Sequence, residues 1–325
     1  MKEKKIYTNY SDKCLCQNEE SEWKEVTTEI REGKGLWKRC DNCGLVVNKL
    51  GFSKDELESY YNNQYQKANS FAQGEKLSPK DHYNFAQHSL KPVASILKPY
   101  LNDKMRVLDI GAATGELLDN IKSQVGYCIG IELNKEYCHF INKELGIDAI
   151  SEDYFEITFD ASFDLITINA TLDHMYNSLG VLDKIYDDLK PGAILYIQTP
   201  NDEQALKTFL PERSRLAFQA FMYQKAHYVS FTESTLKRAL VQAGFEVERL
   251  FTRHDYSLKN FLHWYFTGSR QKNINDAKIS RGFFNGSSRF EVEFNAVLEE
   301  TERSFQEIIN RNNAGELICC IARRA

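Results

Sequence analysis

From Arg106 to Asn201 the chain alternates short apolar runs with amphipathic ones, and this alternation restricts the fold more than any other feature. RVLDI precedes GELLDNIKSQ, YCIGIEL precedes KEYCHFINKEL, and a short IDAISED follows. FDLITIN then precedes GVLDKIYDDLK, and PGAILYIQTPN closes the series. Strands joined by helices of this length pair in parallel through right-handed crossovers. Farther on, TESTLKRALVQAG reads as a helix ending at Gly244, FEVERLF as a strand and GELICCIARR as the last strand. The expected fold class is α/β, a doubly wound and mostly parallel sheet of seven strands.

The flanking pieces divide the 325 residues further. Residues 1–52 are strand-like and turn-rich, with a hairpin expected in REGKGLWKRC. Residues 53–100 form a helical linker or cap: Ser53 caps SKDELESYYNNQYQ, and Ser78 before Pro79 starts a helix whose apolar spacing continues to about Leu97. Residues 101–253 and 314–325 make the core. Between them, residues 254–313 form an aromatic-rich insertion whose long helix is RFEVEFNAVLEETERSFQEIINR. It falls beside the C-terminal edge of the sheet, where such folds bind ligands, so it is expected to act as a lid or substrate-binding segment. There is no internal repeat and no low-complexity tract.

Hydrophobic residues make up 42% and charged residues 27%, an ordinary globular balance. The net charge of -5 gives no general pull toward phosphate backbones, which disfavours nucleic acid as the main partner. MKEKKIYTNYSDK does not read as a secretory signal, and no apolar run has the length of a membrane span. With eight cysteines set in metal-like or apolar contexts, a reducing cytoplasmic location is the expectation. Oligomeric state stays open.

LDIGAATGELL gives up side-chain packing so that something can approach the backbone. A P-loop needs Gly-Lys-Ser/Thr, but Gly115 is followed by Glu116. A dinucleotide fingerprint needs a third glycine, and Glu116 at the helix start would repel a pyrophosphate. A ligand without phosphates fits better. Asp109 at the end of its strand suits a cationic ammonium, and Glu132 at the end of the next suits a ribose diol. A nucleoside that carries an amino acid and no phosphate is S-adenosylmethionine.

From Val107 to Asn201 the chain resembles the class I S-adenosylmethionine-dependent methyltransferases, small-molecule type. The matching pieces are VLDIGAATGELL, GIELN, SEDYFEI, SFDLITINATLDHM, LKPGAILYIQTPN and HYVSFTESTLKRALVQAGFEV. The resemblance implies that Asp109, Gly111, Ala112 and Gly115 form the glycine motif, with Ala113 in place of its middle glycine. It places Glu132 and Leu133 at the ribose, Asp153 and Tyr154 at the adenine, and Asn169 with Ala170 near the reacting methyl. The plainer alternatives are that the glycines merely allow tight packing and that Asp153 is a turn residue. Cys128 and Cys138 read as small core hydrophobes.

CLCQNEESEW and LWKRCDNCGLVV resemble the zinc-ribbon segment that precedes some such enzymes. Cys40-Asp-Asn-Cys43-Gly44 is a proper knuckle, whereas Cys14-Leu-Cys16 departs from the usual two-residue spacing. Zinc held by Cys14, Cys16, Cys40 and Cys43 would be structural, since four thiolates close its coordination shell. The alternative is a metal-free ribbon held by Trp23, Trp37 and packing.

Displacement at a sulfonium has an excellent leaving group. Positioning can supply roughly 7–11 kcal/mol, and a general base adds about 10²–10⁴-fold. His174 in LDHMYN and His227 in KAHYVSF are the candidate bases, with loop-tethering the plainer role for His174. His254 and His263 default to packing or exposure. Among Tyr60, Tyr61 and Tyr65, one is expected to cover the methionine end of the cofactor through cation–π attraction. Phe209, Phe218, Phe221 and Tyr223 are expected mainly to pack. The expected function is methyl transfer to an O or N atom of a small molecule such as a metabolite, sugar or natural-product precursor. INATLDH lacks the Asn-Pro-Pro-Tyr/Phe tetrad of nucleobase and glutamine methylation. Two alternatives remain: an RNA methyltransferase gripping nucleic acid with its ribbon, or a non-catalytic cofactor-binding protein. A salt-dependent gel shift would favour the first, and absence of cofactor affinity the second.

Overall fold

The computed structural model describes residues 14–16, 22–63, 77–272, 274–278 and 286–325. Seven strands form the main sheet: β4 (Arg106–Ile110), β5 (Tyr127–Ile131), β6 (Asp148–Ile150), β7 (Phe163–Asn169), β8 (Leu189–Pro200), β10 (Phe245–Arg253) and β11 (Leu317–Arg324). Their order is β10-β11-β8-β7-β4-β5-β6. The pairs from β8 to β6 are parallel, and β11 runs antiparallel to both β8 and β10. The mostly parallel, doubly wound sheet expected from the alternation is therefore present. Strands β4 and β7 are apolar almost throughout because helices cover both faces of the sheet. One face packs around Leu108, Ile166 and Ile197, and the other around Val107, Leu165 and Tyr196.

The alternating helices fall where the pattern placed them: α4 (Glu116–Ile121), α5 (Lys135–Phe140), α6 (Gly180–Asp188) and α9 (Glu233–Gln242). Ahead of the sheet lie α1 (Lys54–Asn63), α2 (Pro79–Ala86) and α3 (Lys91–Leu97). The sequence suggested one apolar helix from Ser78 to about Leu97. Instead a turn at 87–90 separates α2 from α3, because Pro92 cannot donate into a continuous helix and disfavours helical geometry before it. Ser78 caps α2 through Asp81 N.

Between β8 and α9 lie α7 (Ala205–Phe209) and α8 (Glu212–Met222), for which the sequence pattern suggested nothing. The insertion contains α10 (Leu258–Thr267), α11 (Ile274–Ala277) and α12 (Arg289–Arg311), the last matching the expected long helix with a capping box at Ser288 and Glu291. Trp264 of α10 packs on Leu206, Leu210 and Phe218, so α7, α8 and the insertion share one small core.

The N-terminal ribbon comprises β1 (Trp23–Ile30), β2 (Gly33–Cys40) and β3 (Val46–Asn48). It is not a separate unit, because β3 pairs with β9 (Val229–Ser230) of the chain beyond α8. Trp37 is fully enclosed and stacks on Tyr223 at 4.3 Å. This stacking and strand pairing tie the ribbon to the segment that carries His227.

Candidate active site

The glycine turn needs its glycines. Gly111 has φ 77°, and a Cβ there would lie 2.1 Å from Thr171 Oγ1. Gly115, with φ 86°, opens α4. Ala113 and Ala170 also adopt positive φ, 47° and 49°, which is uncommon for a residue with a Cβ. Both face one cavity of 770 Å³ that opens beyond the C-terminal ends of β4, β5 and β7. Backbone held in such sparse conformations concentrates at ligand sites.

Asp109, Gly111, Ala112, Glu132, Leu133, Asp153, Tyr154 and Asn169 all line this cavity. Gly115 sits behind the turn, with Leu145 and Ile141 against it. Asp109 is buried, and Thr167 Oγ1 donates to it at 2.6 Å. Burial pushes its carboxyl up to about 7, with Glu116 and Glu132 adding to the rise. Glu132 accepts from Ala113 N at 3.0 Å and Asn134 N at 2.8 Å, which fixes its carboxylate at the cavity wall. Each oxygen keeps a lone pair for a hydroxyl. Burial raises Glu132 to about 7 as well, against the backbone bonds that lower it. Asn169 Oδ1 is enclosed with no hydrogen-bond partner among the described residues. Two desolvated acids, an orphaned acceptor and a bare backbone bend fit an adenosyl amino acid with a positive charge.

Asp153 accepts from Phe155 N at 3.0 Å, so it is a turn residue as well as a wall residue. Tyr154 contributes little ring surface to the cavity. Its hydroxyl donates to Asp188 at 2.7 Å, and Lys184 lies 4.5 Å above its ring, so the side chain points into the core. Tyr61 lines the cavity and meets His174 edge-on at 6.3 Å, whereas Tyr60 packs on Phe52. Tyr65 lies outside the described residues. The cap supplies His82, which the sequence did not single out: its Nδ1 is 3.1 Å from Thr114 Oγ1 and 3.3 Å from Glu116 Oε1. This buried contact joins α2 to the turn and to α4.

His174 and His227 come together, with ring centroids 4.3 Å apart. They face different spaces. His174 lines the first cavity, and His227 lines a second of 450 Å³. The two cavities share Tyr256, Glu316 and Leu317 in their walls. Asp173 also reaches the second cavity, its Oδ2 being 3.5 Å from His227 Nδ1 and 3.8 Å from His174 Nε2. It is buried, and neither of its oxygens has a hydrogen-bond partner among the described residues. Burial raises its pKa, with His174 opposing. Burial, with the neighbouring His174 and Arg31, holds His227 well below the ordinary histidine value, although Asp173 Oδ2 lies 3.5 Å from its Nδ1. A neutral imidazole backed by a carboxylate can accept a proton. The three donor atoms lie within 4.8 Å of one another, a spacing a metal ion could also use. His254, by contrast, is buried against Glu316, a packing position. Phe209 is 62% exposed rather than packed, while Phe218 and Tyr223 are buried.

In the ribbon, Cys14, Cys16, Cys40 and Cys43 converge within 4.8 Å. Cys16 and Cys40 sulfurs are 3.7 Å apart, close to the spacing of two thiolates on one tetrahedral zinc. Cys14 and Cys16 also pair as a disulfide, which competes with metal binding. The donor set therefore fits zinc in its reduced form.

Among the described residues no helix is long and apolar enough to cross a membrane. Of the curated proteins, a malonyl-[acyl-carrier protein] O-methyltransferase of Calditerrivibrio nitroreducens is 33% identical over 97 residues, 30% of this chain. The match spans 39% of that relative's length. Among solved structures, a chain in the complex of the Haloferax volcanii Trm112 methyltransferase activator with a methyltransferase superposes with a TM-score of 0.50 at 14% identity. The superposition covers 84% of this chain and 99% of that one, a likeness of fold. An S-adenosylmethionine-dependent methyltransferase from Archaeoglobus fulgidus gives a TM-score of 0.46 at 21% identity, covering 74% and 99%. The family model described as a methyltransferase domain matches residues 81–250, over half of the chain. The chain belongs to this methyltransferase-domain family, and its core carries the seven-stranded, mostly parallel sheet expected of it.

Proposed function

We propose that the protein moves a methyl group to an oxygen or nitrogen atom of a small molecule. When bound, S-adenosylmethionine supplies an electrophilic methyl on a sulfonium, so the acceptor's lone pair forms the new bond as the thioether leaves. The chain's own task is to bind, align and deprotonate. Asp109 takes the ammonium, Glu132 takes the ribose hydroxyls, and the turn at Gly111 brings the backbone close. Tyr61 offers a ring face to the cationic end.

The observation that carries the proposal is the position of Asp173, His174 and His227 at the boundary of two cavities. An acceptor in the second cavity presents its nucleophile toward the first, with neutral His227 beside it to take a hydroxyl or ammonium proton. Asp173 then offsets the charge gained by the imidazole. This is the base-and-orienter logic of a histidine backed by a carboxylate.

The test is a methylation screen with isotopically labelled S-adenosylmethionine across hydroxyl- and amine-bearing metabolites, scored by label transfer to a small-molecule fraction. Transfer lost in Asp173→Asn and His227→Ala supports the assignment. Label appearing only in RNA or protein contradicts it.

A further inference from the structure

The second cavity is built from three parts of the chain distant in sequence. The ribbon contributes Arg31, α8 contributes Phe218 and Phe221, and the insertion contributes Trp264 and Arg270. Its walls mix aromatic rings with polar side chains, and three cations line it: Arg31, Arg270 and Lys272. Arg31 follows β1, in the turn before β2. Its backbone N–H donates to Tyr223 O at 2.9 Å, and its Nε donates to Phe221 O at 2.8 Å. The guanidinium carbon lies 4.1 Å from the centre of the Phe221 ring. These contacts hold the plane of the guanidinium in place.

They use only one edge of it. No hydrogen bond engages either terminal amino group among the described residues, and no carboxylate lies within ion-pair distance. The neighbouring Glu32 is exposed and accepts from Lys225 N instead. Burial lowers the pKa of Arg31, the adjacent Glu32 opposes this through space, and Arg270 lowers it further. The two acids in the cavity wall each face a histidine, Asp173 beside His227 and Glu316 beside His254. A held, partly desolvated guanidinium therefore presents an outer edge with no hydrogen bond among the described residues to a cavity whose apolar walls include Phe218, Phe221 and Trp264. Carboxylates and phosphates match such a fork with two parallel, charge-assisted bonds.

We infer that the second cavity receives the methyl acceptor and that Arg31 selects one bearing an oxyanion, a carboxylate or phosphate, on an apolar or aromatic body. This rests on the methyl-transfer reading above. It gives the ribbon a role beyond stability: a residue of the N-terminal segment decides which molecule reaches His227. Arg31 contributes to the field that keeps His227 neutral, so the anion binds within electrostatic range of the base. An anion at Arg31 also offsets a positive charge that would otherwise oppose proton uptake by His227.

The experiment uses the full chain saturated with S-adenosylhomocysteine. Three probes are titrated by ligand-detected NMR: 3-phenylpropionate, phenyl phosphate and neutral 3-phenylpropionamide. At least one anion is expected to bind about tenfold or more tightly than the amide. The ratio of the two anions tells carboxylate from phosphate. Arg31→Met should abolish the preference while leaving S-adenosylhomocysteine affinity and the melting temperature near native. Should that variant fail to fold, Arg31→Lys, which keeps the charge without the fork, is expected to lose most of the preference. Equal affinity for anion and amide, no binding of either anion, or a preference that survives loss of Arg31 overturns the inference. Failure of S-adenosylhomocysteine to bind at the outset contradicts the methyl-transfer reading instead, so the two failures are distinct.

Discussion

Asp109 and Glu132 are held in the fold against their own ionisation. Their carboxyls rise from 3.8 and 4.5 to about 7, chiefly through burial. Because the fold binds these protons more tightly than the unfolded chain does, ligand-free stability falls as pH rises from about 4 to 7. Asp109→Asn should therefore stabilise the ligand-free protein at pH 8 by about 1–3 kcal/mol, read from thermal unfolding, while weakening S-adenosylhomocysteine binding. In the native protein that affinity should fall as pH drops below about 7, since protons compete with the ammonium for Asp109. A pH-independent affinity would remove Asp109 from the ammonium site. His227 does not touch the first cavity. His227→Ala should accordingly lower turnover about 10²-fold or more and change cofactor affinity less than twofold. Some of these residues were legible because they sit in a contiguous motif. Asp173 lay unremarked within LDHMYN, since nothing local shows that its carboxylate turns toward a histidine 54 positions away. Arg31 and His82 were invisible for the same reason: only the fold brings them to the site.

At the scale of elements, the turn after β4 carries the strictest demand. Gly111 combines positive φ with a Cβ position already filled by Thr171. Gly111→Ala should cost about 1–3 kcal/mol of stability and abolish S-adenosylhomocysteine binding, with calorimetry and thermal unfolding as the readouts. An alanine variant that binds normally would mean the ligand does not approach this backbone. The ribbon makes a second prediction, for its sheet continues into β9 two residues beyond His227. Under reducing conditions the protein is expected to carry one zinc per chain, and Cys40→Ser should lose it, as measured by elemental analysis. Because β3 and β9 are paired, the same variant should reduce turnover more than cofactor affinity. Native protein free of zinc would leave Trp37 and its stacking as the ribbon's support. Strand–helix alternation made the main sheet readable. The break at Pro92 and the helices α7 and α8 were not, because α8 covers the second cavity with scattered aromatic residues that show no clean helical stripe.

The whole molecule is two cavities meeting at a histidine pair, one walled by the sheet and the cap, the other by the ribbon, α8 and the insertion. Its parallel core could be written from the alternation alone, whereas the second cavity depends on contacts between distant segments, such as Arg31 to Phe221, 190 positions apart. Local pattern does not encode such contacts. The central claim is that the first cavity grips an adenosyl amino acid between Asp109 and Glu132. Isothermal titration with S-adenosylhomocysteine tests it most directly. One molecule per chain should bind to the native protein, and Glu132→Ala should weaken binding by about 1–3 kcal/mol through loss of the diol contacts. No heat of binding, or an affinity untouched by Glu132→Ala, would contradict the account.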